Sequence, residues 1–435
     1  MVAKNCTPAS SLIIIVIAFA VLVSTSAAFA SSPVEQVLYS LQGTGNTGWE
    51  PHGGLVADKA GNLYGMTAWG AAAFGGAVFE VSPPATQGGA WTGTVIYTFL
   101  GGDNDGSQPY GSLIIDKKGN LFGATHAGGP NNTGTVFELS PPATQGGAWT
   151  ETILFIFPAD DSEGNWPMGK LAVDAAGSLY GTTWFGGTGT TCPGGGCGVA
   201  FQLVPPASQG APWTMNVIHN FGSFTGDGYF PGVGLIARGG VIYGTTQDGG
   251  ANNCGTVFEL APSNGAWTET ILHDFTVTEG CSFHAGLIVD SAGNFYGTGY
   301  SGGSSNAGVV FELSPPAVNG DPWQETTLYS FTGHYDGAGP VGGVVRDGAG
   351  NLYGTTSGGG LNNIHSRNNG VVFRLSPPTV AGGAWKEAVM HPFAGASSGD
   401  GASPFGDLLL FKGTLYGTTG GGGSPGPGTV FSVVP

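Results

Sequence analysis

Charge is scarce in this sequence. Asp, Glu, Lys and Arg together make up 9% of 435 residues, with 11 bases against 28 acids. A chain with so few cations and a formal net charge of −17 repels nucleic acid and anionic membranes at long range, so neither is expected as a partner. No long apolar run occurs after Val23, so no bilayer-spanning helix is expected beyond it. No later stretch repeats its apolar residues at the helix period. The glycine-rich loops lead into no helix and are therefore not phosphate cradles. There are 83 glycines, but they lack the Gly-X-Y period of collagen. They sit at fixed offsets around Val, Ile, Leu, Phe and Tyr runs, which argues against disorder. No spacing of Ser or Cys with His marks a nucleophilic triad, and no spacing of acids picks out a pair for glycoside cleavage.

What is present is a repeat. Gly61-Asn62-Leu63-Tyr64-Gly65-Met66-Thr67 returns with its aromatic-Gly pair at Phe122, Tyr180, Tyr243, Tyr296, Tyr353 and Tyr416, giving seven copies 53 to 63 residues apart. Each repeat holds four strand-like segments, in the first repeat Gly54 to Asp58, Asn62 to Thr67, Gly76 to Val81 and Trp91 to Phe99. They are short, β-branched and aromatic, and bounded by Gly, Pro, Asn and Asp. Four antiparallel strands repeated seven times predict an all-β, seven-bladed β-propeller. The chain ends on a third strand, Gly428 to Val434, whereas Val34 to Leu41 reads as an unattached fourth strand. The N-terminal strand is therefore expected to complete the last blade and close the ring. An open solenoid has no need of such complementary ends.

Residues 1–30 read as a secretory signal. Lys4 precedes an apolar run from Leu12 to Val23, and Ala28-Phe29-Ala30 forms a small-residue cleavage site. The competing membrane anchor would need a longer run. Residues 31–435 are then a single propeller domain, secreted or held at the cell surface, without a membrane span and expected to be monomeric. Cys6 leaves with the signal. Cys192, Cys197, Cys254 and Cys281 remain, an even number for an oxidising compartment. Their spacing lacks the paired C-x2-C of zinc sites. Loop positions favour Cys192–Cys197 and Cys254–Cys281, one of three possible pairings.

These repeats resemble the GloVer tandem repeats of bacterial exported proteins. The resemblance rests on Gly-Asn-Leu-Tyr-Gly-Thr-Thr, Gly-Gly and Gly-Thr-Val-Phe-Glu-Leu and covers nearly the whole chain after the signal. It implies export and a repeat fold, but no catalytic motif.

In a four-stranded blade, the loop between strands two and three shares a face with the blade-to-blade loop. Six tryptophans begin fourth strands and are packing residues by position. The remaining four, Trp49, Trp69, Trp166 and Trp184, all fall in loops of this first face. Rigidly held aromatics of this kind either bind a ligand or pack beneath neighbouring loops. A varied ring of residues follows the recurring Pro at the blade entries, or Phe283 in the fifth repeat: His52, Tyr110, Met168, Gly232, His284, Val341 and Phe405. Two positions on, Lys170 and Asp407 depart from glycine, and both rings are expected around the channel mouth. His126 and Tyr300 share one loop position on the same face. Most bases lie on the opposite face, which leaves the first face acidic and aromatic and suited to neutral sugars or cations.

The expected function is a non-catalytic binding or scaffold propeller that engages glycan or a surface polymer. The alternative is a polysaccharide hydrolase or lyase with acid/base residues at the channel mouth. A passive repeat module is the third class. No cofactor is expected; the segment nearest to a calcium loop is Asp103-x-Asp105-Gly106, whose Asp-Gly is also an ordinary turn pair.

Overall fold

The computed structural model describes residue 1 and residues 35–435, except 44–46, 72–73, 87, 145, 195, 209, 319, 361–368, 381 and 425. Apart from Met1, the expected signal lies outside the described residues. The rest is an all-β ring of seven blades, and among the described residues the only helix is a single 3-10 turn at Ala396–Ser398. Blade 1 pairs Val56–Ala57, Leu63–Thr67, Ala77–Ser82 and Thr92–Thr98 in that order, and blades 2 to 6 repeat the pattern. The innermost strand of each blade shrinks to two or three residues. Blade 7 consists of Leu409–Phe411, Thr414–Thr419 and Thr429–Val433, with Glu35–Ser40 as its outer strand. The N-terminal strand thus closes the ring. It runs antiparallel to the last strand, from Glu35 against Val433 to Ser40 against Thr429. Its register slips between Val37 and Tyr39, the same bulge that blade 1 has between Val78 and Phe79 and blade 2 between Val136 and Phe137.

The aromatic-Gly pair has a packing cause. The glycine lies under the Phe of the neighbouring third strand. A Cβ on Gly123 would sit 2.7 Å from Phe137 Cζ, and one on Gly297 2.6 Å from Phe311 Cζ. The third-strand phenylalanines are fully buried. Six of the seven meet the Phe that follows the previous blade's outer strand. Phe99 packs edge-on to Phe137, Phe157 to Phe201, Phe331 to Phe373 and Phe393 to Phe431, with centroids 5.1 to 5.4 Å apart. Such pairs contribute about 0.5–1.5 kcal/mol each beyond area burial. At the closing junction Leu41 joins the cluster around Phe79.

The tryptophans that begin fourth strands bridge blades. Trp149 meets Tyr64 of blade 1, Trp267 meets Tyr180 of blade 3, and Trp91 meets Tyr416 of blade 7. The repeated Asp holds its own turn. Asp58 Oδ1 accepts from the Gly61 and Asn62 backbones at 2.8 and 2.9 Å, and its Oδ2 takes the Tyr64 hydroxyl at 3.2 Å.

Candidate functional site

Both loop sets of the first face meet, as strand alternation requires, and at every blade they pair. Trp49 bridges Trp69, Cys281 bridges Ser301 and Ala338 bridges Gly358. Gly106–Ser107 pairs Ala127–Gly128, Gly228–Tyr229 pairs Asp248–Gly249, and Gly401–Ala402 pairs Gly421–Gly422. In blade 3, Asn165–Pro167 pairs the end of the second strand. These seven small ribbons fix the loops around the axis. Their glycine-rich sequences carry no strand alternation, so the sequence does not announce them.

Beside each ribbon the backbone turns left-handed at one residue. Those residues are Glu50, Gln108, Trp166, Phe230, Ser282, Gly339 and Ser403, with φ between 52° and 60°. The conformation costs a residue with a Cβ about 1–2 kcal/mol. Repeat 6 uses glycine there, so the fold itself asks for no side chain. Trp166 and Phe230 are bulky exceptions and place rings beside the mouth.

The residue after the following Pro, or after Phe283 in blade 5, reaches the axis. His52, Tyr110, Met168, Gly232, His284, Val341 and Phe405, with Trp184 and Gln247, line a cavity of about 260 Å³. No carboxylate or cation is among its lining residues. Below it the channel narrows because neighbouring backbones touch. A Cβ on Gly111 would meet Gly169 O at 2.7 Å, and one on Gly342 would meet Gly406 O at 2.6 Å. Lys170 and Asp407 lie at and below this waist. They also line the opening of about 530 Å³ on its far side, with Arg346. They are therefore not mouth residues in the sense of His52 or Tyr110; the waist separates the two rings. Asp407 Oδ1 is occupied by the Gly343 N–H at 2.6 Å, and Lys170 is exposed to the channel.

Aromatic rings run continuously from the mouth outward across blades 7, 1, 2, 3 and 4. Phe405 stacks on His52 at 5.2 Å, and His52 meets Tyr110 at 4.9 Å. Tyr110 meets His126 at 5.3 Å, and His126 stacks on Trp166 at 4.9 Å. Trp166 meets Phe185 at 5.2 Å, and Phe185 meets Trp184 and Phe230. Across the mouth, His284 and Tyr300 form a separate pair at 5.0 Å.

All four unrepeated tryptophans are half-buried. Trp166 and Trp184 belong to the arc. Trp49 and Trp69 pair through their backbones, and Trp49 packs against Phe74. Burial lowers the His52, His126 and His284 imidazoles below the ordinary range, His126 to about 4. All three are neutral at neutral pH. His126 Nδ1 and Trp184 Nε1 are buried without a protein partner.

Burial raises a different set of groups, far from the mouth. Glu35, Glu151, Glu325 and Glu387 are each pushed up to about 7, primarily by burial. They sit at one position of the outer strands of blades 7, 2, 5 and 6. Each faces an acid of the preceding blade-to-blade loop and a Tyr or His of the preceding outer strand. Both expected disulfides, Cys192–Cys197 and Cys254–Cys281, are formed. Asp105 of the Asp-x-Asp-Gly segment is buried, with its oxygens bonded to the Leu100 and Gly106 backbones at 2.6 Å.

Seven closed sheets around an uncharged, aromatic-rimmed axial cavity define a β-propeller with one differentiated face. The chain belongs to the Gloeobacter/Verrucomicrobia repeat family, whose model matches residues 24–209 and 150–364. No curated protein matches it in sequence. Among solved structures it is similar to an ancestral GH74 enzyme, with 14% identity over 89% of this chain and 48% of that one and a TM-score of 0.53. It is also similar to the extracellular domain of a putative one-component system from B. thetaiotaomicron, with 14% identity over 92% and 42% of the two chains and a TM-score of 0.49. The chain thus spans about half the length of either protein. At such identity the likeness concerns fold alone.

Proposed function

We propose that the protein is an exported, non-catalytic propeller that binds a neutral glycan at the channel mouth and along the aromatic arc. The observation that carries this reading is the unbroken arc from Phe405 to Phe185: its inner rings Phe405, His52 and Tyr110 line a cavity with no charged side chain, and its outer rings Trp166 and Phe185 line a second pocket beside Asp161. The apolar faces of sugar rings stack on aromatic side chains, and their hydroxyls need neutral donors and acceptors. Tyr110, Gln247, the neutral imidazoles of His52, His126 and His284, and the Trp184 N–H offer them. Tyr300 would contact the ligand from the far side, and Trp49 and Trp69 would stiffen the rim. Lys170 and Asp407 would meet only a segment that threads the waist. Two disulfides agree with an oxidising, extracytoplasmic compartment. The carboxyls with raised pKa lie at the outer junctions, and a glycan-cleaving pair across the mouth has no candidates among the lining residues, which weighs against the hydrolase or lyase alternative.

Trp166→Gly tests the reading cleanly. Glycine is what repeat 6 has at this position, so the backbone is not disturbed by the change. In affinity electrophoresis against neutral and acidic polysaccharides, the wild type should be retarded by a neutral polymer. The variant should bind at least about tenfold more weakly, as expected for a central aromatic contact. Undiminished binding by the variant, or no neutral polymer bound by the wild type, would reject the proposal. Release of reducing ends would transfer the site to the hydrolase alternative.

A further inference from the structure

The outer junction between blades 3 and 4 differs from its six counterparts. Blade 3's outer strand brings His219, the connecting loop brings Asp227 and blade 4's outer strand brings Glu269. Their side chains are 13%, 0% and 3% exposed. His219 Nε2, Asp227 Oδ1 and both Glu269 carboxylate oxygens are buried without any hydrogen-bond partner among the described residues. Only Asp227 Oδ2 is anchored, by the Ser223 N–H at 2.9 Å and its hydroxyl at 3.3 Å.

The repeats supply the control. Where tyrosine takes the place of His219, its hydroxyl bonds one of the two carboxylates and leaves a single glutamate oxygen, Glu151 Oε1 or Glu387 Oε1, without a partner. Tyr97 donates to Glu151 at 2.8 Å, and Tyr329 donates to Asp336 at 3.0 Å. Between blades 6 and 7, His391 bonds Asp400 at 3.0 Å. Between blades 4 and 5, Glu279 is held by Thr276 and Glu325 by Thr327. The two remaining junctions drop the carboxylate from the outer strand, with Met215 facing Phe155 and Gly93 making room for the Tyr39 ring. Among the described residues, only at His219 does an unpartnered imidazole meet a carboxylate with both oxygens free and a second with one oxygen free; His273 Nε2 also lacks a partner, but the two glutamates beside it are held.

We propose that His219, Asp227 and Glu269 bind a divalent transition-metal ion, with zinc as the simplest occupant, which clips blade 3 to blade 4. The distances from His219 Nε2 to Asp227 Oδ2 and Glu269 Oε2 are 3.4 and 3.3 Å. A tetrahedron built on metal–ligand bonds of about 2.0–2.1 Å has edges of about 3.3–3.4 Å. One imidazole and two carboxylates suit zinc and its neighbours rather than calcium or magnesium, which prefer oxygen ligands alone. A dication balances the charge of two buried carboxylates. Water would take the fourth position.

The test uses the purified protein after chelator treatment, titrated with zinc chloride by calorimetry and followed by its melting temperature. One equivalent should bind, and the melting temperature should rise with zinc. His219→Tyr copies the junctions at Tyr97 and Tyr329 and should fold as well as the apo wild type. It should lose at least 100-fold in zinc affinity, and Glu269→Gln should lose a similar factor. X-ray absorption of the zinc-loaded protein should show one nitrogen and light oxygen ligands without sulfur. A wild type that takes up no zinc overturns the proposal. Uptake kept in His219→Tyr but lost in Glu35→Gln overturns it too, because the ion would then sit with His391 and Asp400. None of these outcomes depends on glycan binding.

Discussion

At the scale of single residues, the repeat is a record of steric demands. The aromatic-Gly pair recurs because the glycine makes room for a phenylalanine one strand away. Gly123→Ala places a Cβ 2.7 Å from Phe137 Cζ in a site with no slack. It should cost about 1–3 kcal/mol, the usual range for overpacking, read as a lowered midpoint of urea unfolding. Phe137→Leu in the same chain removes the clashing ring atom, so the pair should lose less than the sum of the two single changes. Strict additivity would mean that the glycine serves some other purpose. The recurrence was legible in the sequence, but its partner was not, because a period along the chain says nothing about which strand lies over which. The left-handed position at Trp166 and Phe230 was also hidden. Nothing in a Trp-Pro or Phe-Pro dipeptide marks a positive φ, and only the ring of seven equivalents, one of them glycine, shows that the side chains are additions to the fold.

At the scale of elements, closure rests on one strand from the far end of the chain. Leu41 is fully buried in the closing junction, and its N–H bonds Gly428 O at 3.0 Å. Leu41→Ala should cost about 2–5 kcal/mol, as for other buried leucines. Leu100→Ala at the exposed start of the next loop should change little. Removing residues 35–41 altogether would bare the edge of Thr429–Val433, and an unpaired edge recruits another chain. Size-exclusion chromatography should then show dimers or aggregates; a well-behaved monomer would mean that the ring does not need its clasp. Strand count, closure, both disulfides and the shared face of the loops were readable because each follows from period and alternation. Two features were not. The ribbons at the mouth are made of glycine-rich pairs without a side-chain pattern. The junction clusters join one blade's Tyr or His to a loop acid and the next blade's Glu, residues 54 apart for Tyr97 and Glu151. Alternation assigned such glutamates no partner, and only the blade-to-blade register brings them together.

At the scale of the whole molecule, these junctions make stability depend on pH in a direction opposite to common acid denaturation. Glu151, Glu325 and Glu387 are held up to about 7, first by burial. Tyr97 and Asp105 face the first of them, His273 and Glu279 the second, and Tyr329 and Asp336 the third. The folded chain keeps these protons to higher pH than the unfolded chain, where a glutamate titrates near 4.3. Folding therefore takes up protons between about pH 4.3 and pH 7, and stability falls as pH rises through that window. Asp105, raised by burial, adds the same sign at lower pH. Glu279 opposes it: burial raises its carboxyl, but hydrogen bonds from Thr276 and the neighbouring His273 outweigh burial and hold it below the usual value. The net charge of −17 also disfavours the compact state as the last carboxyls ionise, so a falling melting temperature alone does not isolate the junctions. The triple variant Glu151→Gln, Glu325→Gln and Glu387→Gln does, because glutamine keeps the shape and removes the titration. The wild type should melt several degrees higher at pH 5.5 than at pH 8 at fixed ionic strength, and the triple variant should lose a clear part of that difference, Glu35 and Glu269 keeping their share. An equally steep profile in the variant would assign the effect to overall charge. A wild type that melts higher at pH 8 would show that these carboxyls are ionised and paired in the folded ring.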